Sequence, residues 1–128
     1  MRFMMIVKAS KNWENGQMPG PERVAEVMQY REELKKAGVL VDVAALRPAT
    51  ESTRVQFSGG KPLVTDGPFA ETRELIGGYW LIQVKSKAEA IEWAKRAPQY
   101  CGSGEGAQLE LRQLCEMDEF EGAPGRMA

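Results

Sequence analysis

A chain of 128 residues, 43% of them hydrophobic and 27% charged, fits one domain with a genuine core. Seventeen basic against eighteen acidic residues leave a formal charge of -1, so no positive excess is available to displace counterions from a phosphate backbone, and nucleic acid is not an expected partner. The apolar run near the amino end stops at Lys8, too short for a signal-peptide core or a membrane span, which points to a soluble, cytoplasmic protein without membrane contact.

Phe3, Met5 and Val7 alternate with Arg2, Met4, Ile6 and Lys8. Both sets are largely apolar, the pattern of a central strand covered on both faces. Ala9 to Gly20 turns polar, with Trp13 and Met18 as its only large apolar groups. It reads as a long loop of the kind that serves as a lid or an interface element. Pro21 and Glu22 suit a first helical turn, and Val24, Val27, Met28, Leu34 and Ala37 follow at helical spacing until Gly38. Arg31 falls inside that stripe, where its guanidinium either snorkels to solvent or holds an anion.

Val39 to Leu46 forms a second strand, closed by Arg47 and Pro48. Thr53 to Phe57 alternates as a third, and Ser58-Gly59-Gly60-Lys61 turns it into Pro62 to Thr65 as an edge hairpin. Gly77-Gly78 opens the most apolar run, Tyr79 to Val84, a buried strand. Ser86-Lys87-Ala88-Glu89 is a capping-box signature for a second helix, with Ala90, Trp93, Ala94 and Ala97 on its inward stripe. Gln99 to Ala107 is a glycine-rich loop, Gln108 to Cys115 a last strand, and Met117 to Ala128 a loose tail or docking segment.

This order predicts a ferredoxin-like α+β sandwich built as βαβ, a hairpin insertion and a second βαβ, with two helices on one face of a mostly antiparallel sheet. The opposite face is then bare and apolar, which predicts a homodimer packed sheet against sheet.

Asp66-Gly67-Pro68-Phe69-Ala70-Glu71-Thr72 resembles the DGPF group of the YCII-related family. Glu33-Leu34, Ala37-Gly38-Val39-Leu40, Arg54-Val55, Phe57 to Lys61, Glu74 to Trp80 and Ala90-Ile91-Glu92-Trp93 extend the likeness to about Phe120. The resemblance implies a dimeric ferredoxin-like fold. Some relatives in this family resemble lactone-processing dehalogenases of aromatic degradation, others are encoded beside extracytoplasmic-function sigma factors, and more distant ones are credited with a histidine-aspartate pair. This chain has no histidine, so that pair does not operate here unchanged.

Asp66 precedes Gly67 and a proline that lacks an amide hydrogen, so its carboxylate turns to Phe69, to another segment or to a ligand. The corner either fixes an acid at a pocket mouth or simply fixes the chain. As an acid-base group Asp66 needs burial or a nearby carboxylate to raise its pKa, and Glu71 is the adjacent partner in sequence. Arg31 and Arg47 are candidate clamps for an anionic substrate, because guanidinium offers a carboxylate two parallel donors. Tyr30 and Trp80 either line an apolar pocket or fill the core. Without histidine a serine triad is excluded, no calcium-loop spacing exists, and the paired glycines do not form a phosphate cradle, so neither metal nor cofactor is expected. Cys101 and Cys115 are not spaced as a Cys-x-x-Cys pair and should be free thiols. Two readings stay level: a binder of a small anionic organic molecule with proton-transfer or elimination chemistry, and an accessory domain working through protein contacts, such as with a sigma factor.

Overall fold

Two-sided apolarity places the first strand in the middle of the sheet. In the computed structural model, which describes residues 1–67, 75–98 and 108–122, β1 (Arg2–Lys8) lies between β5 (Ile76–Gln83) and β6 (Leu109–Gln113). With β2 (Leu40–Ala45) on the far side of β5, the order is β2-β5-β1-β6 and every neighbouring pair is antiparallel. Helix α2 (Pro21–Lys36) connects β1 to β2, and α3 (Lys87–Lys95) connects β5 to β6. This is the predicted ferredoxin-like α+β arrangement.

Helix α2 begins with Pro21 at its first position, where a missing N–H costs nothing. It ends in a Schellman motif: Gly38 takes φ 73, and the amides of Gly38 and Val39 donate to the carbonyls of Lys35 and Leu34. The side chains of Leu34 and Val39 are buried together at that end. The inward face is rotated from the sequence stripe. Tyr30 and Leu34 are buried, whereas Val24 and Met28 are exposed. Helix α3 is capped by Ser86 Oγ, which accepts from Glu89 N at 3.1 Å, while the Glu89 carboxylate accepts from Lys85 N rather than from the cap residue itself.

The core lies between the helices and the inner sheet face, with Phe3, Met5, Trp80 and Ile82 at its centre. Tyr30 stands edge-on to Trp80 at 5.0 Å between ring centroids, and its hydroxyl donates to Trp93 O at 2.6 Å, tying α2 to α3. Arg96, stacked 4.5 Å from the Trp93 ring and paired with Glu33 at 2.8 Å, makes a second tie on the surface.

Three segments depart from expectation. The Ala9–Gly20 loop contains a short helix, α1 (Lys11–Glu14), capped by Ser10 Oγ. Part of the presumed loose tail is helical, α4 (Met117–Gly122). The outer sheet face is not uniformly apolar: Met4, Ile6, Tyr79 and Leu81 form its centre, but Lys8–Glu110, Arg112–Glu110 and Tyr79–Asp42 contacts surround them. The hairpin of β3 (Thr53–Ser58) and β4 (Lys61–Asp66) forms its own two-stranded sheet, turning through Gly59 and Gly60 at φ 58 and 79 as a primed turn requires. Among the described residues no helix is long and apolar enough to cross a membrane.

Candidate functional site

At the end of the sheet where β1 and β2 finish and β5 begins, two backbones approach more closely than side chains permit. A Cβ on Gly78 would lie 2.6 Å from Ala44 O, and one on Gly77 would lie 3.3 Å from Ala9 Cα. Beside this close approach lies a hollow of about 170 Å³. Val7 and the two glycines line it from the sheet, Val24 and Val27 from α2, and Trp13 from α1. The surface is almost wholly apolar, with Lys8 and Ser10 among its few polar contributors.

Trp13 keeps its place over this hollow because its indole Nε1 donates to Leu46 O at 2.7 Å. Glu14 supports the same turn by accepting from Ala49 N at 2.7 Å. Helix α1 is thereby strapped to the segment leaving β2. On the other side of that strap is a second, wider hollow of about 510 Å³, lined by Glu14, Leu46, Arg47, Glu51, Ser52 and Ile76 among others. The two hollows are neighbours along three stretches of chain: Trp13 and Glu14, Ala45 and Leu46, and Ile76 and Gly77 supply one residue to each.

The residues singled out in the sequence fall in different places. Arg47 lines the wider hollow, and its Nε donates to both carboxylate oxygens of Glu51 at 2.9 and 3.1 Å, so the clamp is already neutralised within its own chain. Asp66 lines neither hollow. It ends β4, exposed, with Oδ1 accepting from Thr53 Oγ1 at 2.8 Å, while the next residue's amide donates to Ser52 O at 2.8 Å. Its carboxylate therefore stands one residue beyond the rim that Ser52 forms. Glu71 lies outside the described residues, as does the Pro68 to Glu74 stretch; Leu75, where description resumes, lines the wider hollow.

Tyr30 and Trp80 occupy the core and line neither hollow, because the helix face that turns inward is the one carrying Tyr30. Trp80 is fully buried with its Nε1 unpartnered among the described residues. Arg31, half-buried beside Tyr30, likewise lines neither hollow, and its Nε is buried without a partner among the described residues. Among the described residues no three His, Cys, Asp or Glu side chains gather as a metal set. Trp13, Met18 and Gly77-Gly78, which line the apolar hollow, were legible in the sequence as the large apolar groups of a lid-like loop and as part of the stretch marked out for the site, but not as candidate ligand-binding residues. Their signal was an indole and a thioether stranded in a polar loop, and a glycine pair at the start of a buried strand.

The model of the YCII-related domain family matches residues 1–114. Over 60 residues, 47% of this chain, the sequence is 43% identical to an uncharacterized protein of Rhizobium meliloti (strain 1021), and the match spans 48% of that protein's length.

Proposed function

This chain belongs to the YCII-related family, and from the paired hollows we propose that it binds a small organic molecule with an apolar body and an anionic end. The single observation that carries this reading is the side-by-side placement of an apolar hollow and a wider one holding a guanidinium. The apolar body enters beneath Trp13. The anionic end competes with Glu51 for Arg47, whose planar fork suits a carboxylate. A cavity near 150 Å³ is known to take a benzene-sized guest, so a hollow of about 170 Å³ suits a single ring or a short branched chain.

Any reaction on such a ligand is proton transfer or elimination. Asp66 is its acid-base group, held by Thr53 next to the Ser52 rim. The test is a thermal-shift screen of small aromatic and aliphatic carboxylic acids, since a ligand that binds the native state raises its stability by mass action. Stabilisation should be lost in Trp13→Ala and weakened in Arg47→Ala. If both variants respond as the wild type does, the hollows are not the site. Asp66→Asn separates the two halves of the reading: binding that persists while turnover disappears assigns Asp66 to chemistry, and turnover that persists removes it.

A second reading has its own support. Val55, Phe57, Leu63 and Val64 are all exposed on the β3–β4 hairpin, Phe57 to 76%, and apolar surface of that kind marks contact with another protein. On this reading the chain is a non-catalytic regulatory domain, and an extracytoplasmic-function sigma factor is the candidate partner. Co-purification lost on Phe57→Ser, with every organic acid leaving the melting temperature unchanged, would favour it over ligand binding.

A further inference from the structure

The wider hollow carries a charge balance that a simple acid does not suit. Among the described residues its charged lining is Arg47, Glu14 and Glu51, one guanidinium against two carboxylates. One pair is already made, since Arg47 Nε donates to both oxygens of Glu51 at 2.9 and 3.1 Å. Glu14 spends Oε2 on the backbone N–H of Ala49 at 2.7 Å, and no cation pairs with it among the described residues. A ligand carboxylate that takes Arg47 from Glu51 therefore exchanges one ion pair for another and strands Glu51. Three carboxylates, two of the lining and one of the ligand, then share a single guanidinium, and like charges so gathered oppose binding.

A ligand with a cation beside its carboxylate escapes that cost. Its ammonium takes the Glu51 carboxylate that its own carboxylate has released, so one internal pair becomes two pairs across the site. On the paired-hollow reading above, we infer that the ligand is an α-amino acid with an apolar side chain: carboxylate on Arg47, ammonium on Glu51 with Glu14 as a further acceptor, side chain in the hollow under Trp13. An α-amino acid carries both charges on one carbon, which suits the replacement of an ion pair already in contact. Arg47 can meet it, because its side chain is 81% exposed and its terminal nitrogens have no partner among the described residues. The apolar hollow sets the side chain. About 170 Å³ suits one the size of leucine's or phenylalanine's, and a lining with almost no polar group leaves a charged or amide side chain unpaired there. An amine without the carboxylate fails for the converse reason, since taking Glu51 strands Arg47.

The test is calorimetric titration with phenylalanine, hydrocinnamate and phenethylamine, which share a ring and a chain and differ only in the charged head. Phenylalanine should bind about tenfold or more tighter than either of the others, and glutamine, with the same head on a polar side chain, should not displace it. Glu51→Gln should reverse the order: hydrocinnamate tightens because Arg47 is no longer held, and phenylalanine weakens because its ammonium has lost a partner. Trp13→Ala should weaken all three ring compounds. If hydrocinnamate binds wild type as tightly as phenylalanine and Trp13→Ala abolishes both, the amino acid is overturned while the paired hollows stand. If none of the three binds, or if Trp13→Ala leaves binding unchanged, the hollows are removed and the amino acid with them. Phenylalanine binding that is equal in wild type and E51Q also overturns the assignment, because Glu51 then does not hold the ammonium. Should E51Q fail to fold, the wild-type ratio of phenylalanine to hydrocinnamate affinity decides alone.

Discussion

At Gly78 one carbon atom decides whether β2 and β5 can lie where they do. Its absent Cβ would sit 2.6 Å from a backbone oxygen, and backbone has no rotamer with which to retreat. Gly78→Ala should therefore part the strands and cost about 1–3 kcal/mol in urea denaturation. Gly77→Ala, 3.3 Å from Ala9 Cα, should cost less. A Gly78→Ala protein as stable as wild type would show that the strand approach is slack. Cys115 presents the opposite situation, a group whose chemistry is suppressed. Burial first, then the carboxylates of Glu119, Glu116 and Asp118, push its thiol above the usual range. The thiolate is the nucleophile, so Cys115 should alkylate more slowly at neutral pH than an unstructured cysteine, and Glu119→Gln should speed it. Peptide-resolved labelling with iodoacetamide measures this site apart from Cys101, and a rate equal to that of the unfolded chain would contradict the assignment.

Short elements here depend on side chains from other elements. Helix α4 has six residues, too few to persist on propensity alone. It is held at its start by Arg2, whose Nε and Nη2 donate to the two oxygens of Glu116 at 2.9 and 2.6 Å. Those bonds from Arg2, set against a smaller cost of burial, keep the Glu116 carboxyl below its usual range. A carboxyl with a depressed native pKa stabilises the fold above its unfolded pKa and stops doing so as pH falls through the native value. Acid should therefore release α4 from β1 in that window, seen as loss of amide protection at Glu119 before the sheet opens, and Glu116→Gln should remove the pH dependence. Protection that stays constant through the window would mean that something else anchors α4. The same dependence explains why α1 and α4 were not legible in the sequence. Four and six residues are too few to display a 3.6-residue period, and the contacts that hold them, Trp13 to Leu46 and Arg2 to Glu116, span 33 and 114 positions. Helices α2 and α3, by contrast, announced themselves through Pro21, Gly38 and Ser86, because caps are local signals.

For the molecule as a whole, the strands and the ferredoxin-like arrangement followed from alternation and from the handedness of crossovers. The hollow did not, because it arises where four separate segments meet. Between these lies the hairpin, whose two strands and turn were legible but which was expected at an edge of the sheet and instead forms a two-stranded sheet of its own. Every described residue of β3 and β4 is exposed, and the two strands pair only with each other. Two strands with no covered face are marginal in water. Strand β1 is flanked on both sides and carries the fully buried Met5, so its amides should exchange only when the whole sheet opens. Hydrogen exchange on the isolated protein should thus separate two populations: the paired amides of β3 and β4 exchanging early through local opening, and those around Met5 and Trp80 exchanging last. If the hairpin amides are as slow as those of Trp80, the ribbon is covered in solution. Its exposed Phe57 and Val64 are then part of an assembly rather than a free surface, and dilution that speeds hairpin exchange without affecting β1 would identify that cover as another molecule.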